Sequence, residues 1–131
     1  FNFIYFIFMD KYLVVSIGAA IGGVLRYWLS GYVYKFLPSS FPYGTLAVNF
    51  IGCLLIGIII FGLSEKGLIS PLFRLFLTVG FCGGFTTFST FSFETLNLLK
   101  EYDFLLAFIN ILSNVTFCIG GTYVGYLISK I

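Results

Sequence analysis

From Phe104 to Ser129 this chain carries no charged residue, and neither does the stretch from Tyr43 to Leu63. Runs of that length decide the solvent the chain can fold in. An α-helix rises 1.5 Å per residue, so about 20 apolar residues cross the hydrocarbon core of a bilayer. Two further runs reach this length: Leu13 to about Tyr34, which holds Arg26, and Pro71 to about Leu99. Breakers and charges separate the runs at Leu37-Pro38-Ser39-Ser40-Phe41-Pro42, Ser64-Glu65-Lys66-Gly67 and Lys100-Glu101-Tyr102-Asp103. Pro71 suits the first turn of a third helix. Helices are required because lipid cannot satisfy open backbone groups, and the alternating segments of about ten residues that mark a membrane β-barrel do not occur here. The expected fold is therefore an all-α integral membrane protein with four transmembrane helices.

Composition agrees and excludes several function classes. Of the 131 residues 60% are hydrophobic and 9% charged, against about 45–50% and about 25% in soluble domains. A net charge of +2 gives no case for nucleic acid. There is no histidine, the commonest general base and metal ligand. Cys53, Cys82 and Cys118 are far apart and form no CxxC pair, so they read as small apolar residues. Met9-Asp10-Lys11 resembles a natural start, and residues 1–8 lack the positive region of a secretory signal. Residues 1–11 thus read as an N-terminal extension, poorly structured or preceding the start. Residues 12–131 read as one four-helix membrane domain with spans at about 13–34, 43–63, 71–99 and 104–129. The pairs Gly18/Gly22, Gly80/Gly84 and Gly121/Gly125 are each spaced by four, which points to close helix packing.

The third span is the unusual one. Its centre reads Gly80-Phe81-Cys82-Gly83-Gly84-Phe85-Thr86-Thr87-Phe88-Ser89-Thr90-Phe91-Ser92-Phe93-Glu94-Thr95. Glycine weakens a helix and hydroxyls offer its backbone other partners. Either a break near residues 83–86 or a simple kink satisfies this pattern. A break would expose carbonyls from one half-helix, suited to a cation, and N–H groups from the other, suited to an anion. Phe85, Phe88 and Phe91 are spaced to share one face, and Thr87, Thr90 and Glu94 another. Aromatic ring edges carry partial positive charge and can face an anion. Glu94 belongs near the helix end, where a solvated carboxylate is cheap. Asn49, in the uncharged second span, has two amide donors for an anion or a neighbouring helix. Arg26, near the end of its span, can snorkel to the interface.

The stretches Gly22-Gly23-Val24-Leu25-Arg26-Tyr27, Gly44-Thr45-Leu46-Ala47-Val48-Asn49-Phe50-Ile51-Gly52 and Gly80 through Phe91 resemble, in order and in kind, the Fluc (CrcB) family of fluoride channels. The resemblance covers 12–131. It implies an antiparallel, dual-topology homodimer in the cell membrane, with the third helix broken near its middle and two pathways for passive fluoride export that relieves fluoride toxicity. It implies pore roles for Asn49, Phe88, Phe91, Ser89 and Thr90. It also implies a structural sodium ion at the dimer centre, held by the carbonyls of Gly83 and Thr86. The fourth span matches less closely. Asn110, Asn114 and Cys118 fall at spacings of four, with Ser113 and Thr116 nearby, and Asn110 and Asn114 are the expected pore residues. Arg26 and Glu94 are expected at a vestibule or in a structural role.

The competing reading is a small four-span, dual-topology, proton-coupled exporter of the multidrug-resistance type, which wants a carboxylate inside the membrane. Every Asp and Glu here (Asp10, Glu65, Glu94, Glu101, Asp103) falls near a predicted boundary, which argues against it. A passive assembly subunit would not need the hydroxylated third span. An enzyme would need a nucleophile–base pair that the sequence does not present.

Overall fold

A computed structural model describes the backbone of residues 2–131 and the side chains from Asp10 onward. Helix α1 is Asn2–Val33. Helix α2 is Tyr43–Gly57 and continues as a wider π-helical stretch, Ile58–Ser64. Helix α3 (71–85) opens with Pro71–Leu75, widens through the π-helical Phe76–Cys82 and closes on the turn Gly83–Phe85. Helix α4 is Phe88–Lys100 and α5 is Phe104–Ile128. Among the described residues, four helical spans are long and apolar enough to cross a membrane: Asp10–Val33, Tyr43–Ser64, Pro71–Lys100 and Phe104–Ile128. The backbone of residues 2–11 continues α1, where the sequence had been read as a separate extension; neither Gly nor Pro interrupts it. Phe1 lies outside the described residues.

Local chemistry sets the helix ends. Ser70 caps α3 by accepting from the Phe73 N–H (3.2 Å), with Pro71 behind it. Asp103 caps α5 through the Leu106 N–H (3.2 Å). The turn after α2 is closed by Gly67 at φ 69°, a conformation that costs glycine nothing.

Packing inverts the pattern of a soluble protein. Large apolar side chains such as Tyr12, Val24, Leu105, Phe108 and Ile119 face outward, while Asn110 and Val48 are the largest fully buried side chains. Two parallel seams hold the bundle. Along the first, α1 lies on α3 with backbone against backbone: a Cβ on Gly22 would strike the Phe81 carbonyl, and one on Gly84 the Ala19 backbone. Along the second, α2 lies on α5. There Asn49 meets Asn114, and a Cβ on Gly57 would strike the Thr122 carbonyl. Both contacts have the same sequence offset, as a parallel pair held in one register requires.

Candidate functional site

Thr86 and Thr87 lie between α3 and α4 with extended backbones: φ −91°, ψ 162° at Thr86 and φ −153°, ψ 116° at Thr87. Thr86 turns back on α3, its N–H and Oγ1 both donating to the Cys82 carbonyl (3.0 and 2.9 Å). Thr87 is held by another helix. Its N–H donates to Asn49 Oδ1 (2.8 Å) and its carbonyl accepts from Asn49 Nδ2 (3.1 Å). One amide thus satisfies both backbone groups of a residue that has left helical geometry, a device needed where water is scarce.

The polar chain continues inward. Asn49 Nδ2 also donates to Asn114 Oδ1 (3.1 Å), and Asn114 Nδ2 to Asn110 Oδ1 (2.9 Å) and to the Asn110 carbonyl (3.0 Å). Asn110 Nδ2 donates to Thr95 Oγ1 (2.9 Å), and Thr95 donates to the Phe91 carbonyl (2.8 Å). The chain leaves α4 at Thr87 and rejoins it at Phe91, so it fastens the start of α4 to α2 and α5. Asn49, Asn110, Asn114 and Thr95 are all buried. Both amide hydrogens of Asn49 are committed within this chain. Of the two partners the sequence offered these donors, an anion or a neighbouring helix, the folded subunit gives them Thr87 at the α3–α4 junction and Asn114 on α5.

Hydroxyls gather at the head of α4. Thr87 Oγ1 accepts from the Thr90 N–H (3.1 Å), donates to Thr90 Oγ1 (3.0 Å) and lies 3.2 Å from Ser89 Oγ. Ser89 and Thr90 are exposed. Phe88 and Phe91 stand side by side, ring centroids 5.3 Å apart and planes tilted by 52°, Phe88 78% exposed and Phe91 9%. Phe85 does not share their face as its spacing suggested. The two extended residues reset the helical phase, and Phe85 stacks on Phe81 instead (5.7 Å, 9°).

A cavity of about 700 Å³ opens onto this end of α4; Arg26, Lys35, Thr45, Thr87 and Thr90 are on its wall. Arg26 Nη1 reaches the Thr86 carbonyl at 3.4 Å. The Gly83 carbonyl has a different surrounding. In an unbroken helix it would accept from the Thr87 N–H, which goes to Asn49 here, and Gly83 is exposed. Of the two roles open to Glu94 from the sequence, a solvated vestibule carboxylate or a structural one, its contact is of the second kind. Glu94 turns inward, Oε1 accepting from Thr45 Oγ1 at 2.8 Å, while Oε2 is buried with no partner among the described residues. The i, i+4 helical geometry that puts Thr45 one turn before Asn49 on α2 was available to find it. Thr95 carried no comparable signal, because its link to Asn110 depends on how α4 and α5 pack.

The CrcB-like protein family model (camphor resistance, CrcB) matches residues 13–126. The chain belongs to the CrcB family. A fluoride-specific ion channel FluC of Geobacter sp. (strain M21) is 44% identical over 122 residues, 93% of this chain and 98% of that protein. Those of Geobacter sulfurreducens and Geotalea daltonii are 46% identical over 122 and 117 residues, covering 93% and 89% of this chain and 98% and 94% of theirs. Like its relatives in extent, this CrcB-family chain is a multi-pass membrane protein. The CrcB match takes in all four spans and every polar residue of the Thr87–Asn49–Asn114–Asn110–Thr95 chain. Ser113 and Thr116 in the fourth span take no part in that chain.

Proposed function

We propose that this protein is a channel for passive fluoride export across the cell membrane, not an enzyme and not a proton-coupled exporter. The near full-length identity to proteins named as fluoride-specific channels carries this reading. The site supports it chemically. Fluoride holds its water strongly, so a pathway must offer replacement donors at close range. The head of α4 supplies the Ser89 and Thr90 hydroxyls and the first N–H groups of a helix, where the macrodipole favours an anion. Arg26 and Lys35 on the cavity wall make it a vestibule that concentrates anions. Phe88 and Phe91 present ring edges along the path, and Asn49, Asn110 and Asn114 form the wall that keeps the hydroxyl-bearing turn in place. Thr45 lies on the vestibule wall and donates to Glu94. Glu94 is an inward carboxylate that an exporter could use, but the relatives named as channels favour the passive reading.

The working unit in this reading is a homodimer of oppositely oriented chains with two pathways. Charge counting supports it. From Met9 onward, one membrane face carries Lys11, Lys66, Arg74 and Lys130, and the other Arg26, Lys35 and Lys100. So even a split gives the positive-inside rule almost no bias to act on. Pairing about a two-fold axis in the membrane plane brings the two α3–α4 junctions together. The carbonyls of Gly83 and Thr86 then fit a sodium ion at the centre. The Gly83 carbonyl is relieved of its usual helical donor, and neutral oxygens suit a monovalent cation better than a divalent one. Such an ion would neutralise converging carbonyl dipoles and hold the halves together. Labelling of single cysteines in the loops should reach each loop from both faces of the membrane; uniform one-sided labelling defeats the antiparallel dimer.

Flux through liposomes containing only this protein tests the function. Fluoride should leave rapidly and chloride negligibly. Phe88→Ile and Phe91→Ile should assemble yet lose most of the fluoride flux, since they keep an apolar side chain and remove the polarised ring edge. Comparable chloride flux in the native protein refutes the selectivity assigned here.

A further inference from the structure

The register of α2 on α5 has a chemical consequence. Along α2, Asn49, Cys53 and Gly57 follow at steps of four; along α5, so do Asn114, Cys118 and Thr122. The first of these positions are joined by the 3.1 Å Asn49–Asn114 hydrogen bond. At the third, a Cβ on Gly57 would strike the Thr122 carbonyl, so the helices are in backbone contact there. Between them the same register sets Cys53 on α2 opposite Cys118 on α5. Thr122 Oγ1 straddles the same level, within 3.2 Å of the Cys53 and the Cys118 carbonyl. Two thiols that are 65 residues apart in sequence are therefore held together near the middle of two membrane spans, on helices whose spacing is fixed above and below them.

We propose that Cys53 and Cys118 form a two-coordinate site for a soft divalent metal, namely Hg(II). The donor set argues for the class. Among the described residues no three His, Cys, Asp or Glu side chains converge as metal ligands, which leaves zinc short of its tetrahedral set. Two thiolates alone suit an ion that prefers linear coordination. The surroundings argue for the charge. Two thiolates on Hg(II) give a neutral complex, whereas two on Cu(I) or Ag(I) leave a net negative charge inside an apolar bundle, which is costly. The step balances without an oxidant: HgCl₂ and two thiols give one S–Hg–S bridge, and two protons and two chlorides leave. Neutral HgCl₂ can itself enter the apolar phase, and both cysteines are half-buried, so the thiols are not sealed off. Cys82 is buried on α3 and joins no group of three ligating side chains.

The test uses the assembled protein in detergent or liposomes, titrated with HgCl₂. Three quantities are read: metal bound per chain, free thiols remaining after denaturation, and the Hg–thiolate absorption band. One metal per chain should consume two of the three thiols and resist a weak competing thiol. Cys82→Ser should bind as the native chain does. Cys53→Ser and Cys118→Ser should each lose the tightly held metal, their affinity falling by at least a hundredfold. Retained tight binding in both single variants, loss of it in Cys82→Ser, or mercury-linked pairs of chains on a denaturing gel would each overturn the assignment. None of these readings depends on fluoride transport, so the site can fail while the channel reading stands.

Discussion

The two seams of this bundle solve the same problem by different means. Lipid gives no hydrophobic reason for helices to associate, since the tails outside are as apolar as the side chains inside. Between α1 and α3 the answer is removal of side chains: Gly18 and Gly22 lie against the backbone of Phe76, Gly80, Phe81 and Phe85, and Gly84 against that of Ala19. Dispersion over a close backbone contact does the holding. Between α2, α5 and the head of α4, glycine contacts at Gly57, Gly121 and Gly125 are joined by a chain of amides and hydroxyls. The glycine contacts tolerate no added atom. The amide chain tolerates no missing one. The hydroxyls proposed to meet the ion stand where the second seam ends, on Thr87 and its neighbours, so the polar seam sets the geometry of the site and the glycine seam carries the scaffold beneath it.

The largest effect should come from Asn49→Ala. It strands the Thr87 N–H, the Thr87 carbonyl and the Asn114 Oδ1, at about 1–3 kcal/mol for each buried group left unpaired. The loss should be local. Amide hydrogen exchange should quicken at 87–91 and fluoride flux should fall, while protection along α1 and 71–82 stays near native. Uniform loss of protection would mean the two seams are one cooperative unit and the contrast drawn here is false.

Gly84→Val comes next. Its added atoms meet Ala19 backbone, which cannot rotate away, so α1 must shift off α3. Overpacking of this kind costs about 1–3 kcal/mol. Gly23→Ala is the control one residue past Gly22: a Cβ there meets nothing within 4 Å, and replacing a helical glycine by alanine gains about 1 kcal/mol. Thermal melting of the purified protein should fall for the first and hold or rise for the second. If both fall alike, the seam is not steric in origin.

What could be read from the sequence follows the range of the interactions. The four spans were legible because charges and prolines interrupt apolar runs, and solvent imposes that pattern locally. Pro71 at the start of α3 was legible for the same reason. Of the stripe Thr87, Thr90 and Glu94, the first two meet within one helix cap, while Glu94 pairs with Thr45 on α2. Phe85 was misplaced because a spacing of three carries a residue onto the same face only if the helix is continuous. Asn49 could be singled out as polar in an apolar span, but its committed partners could not be named, since they depend on the relative register of α2, α5 and α4. The same register brings Cys53 to Cys118, which the sequence alone set apart. Position near a helix end left Glu94 either solvated or structural, and nothing along the chain names Thr45, its partner on another helix.

The smallest expected effect, Thr122→Val, asks whether every hydroxyl in the α2–α5 seam matters as the amides do. Thr122 Oγ1 lies 3.2 Å from both the Cys53 and the Cys118 carbonyl. Each of those carbonyls sits in mid-helix, where the N–H four residues on already occupies one lone pair. Losing the hydroxyl therefore strands no acceptor, unlike the loss of Asn49, which strands a backbone N–H with no second partner. Valine keeps the branched shape, and β-branching is tolerated here because threonine already has it. What remains is the worth of one interhelical hydroxyl bond in a membrane protein, about 0.6 kcal/mol by double-mutant measurement elsewhere. A melting shift at the edge of detection and unchanged fluoride flux are expected. A loss comparable to that of Asn49→Ala would show that the seam's strength lies in bridging the two helices at the level of the cysteines, and that satisfying orphaned backbone groups is the lesser part of it.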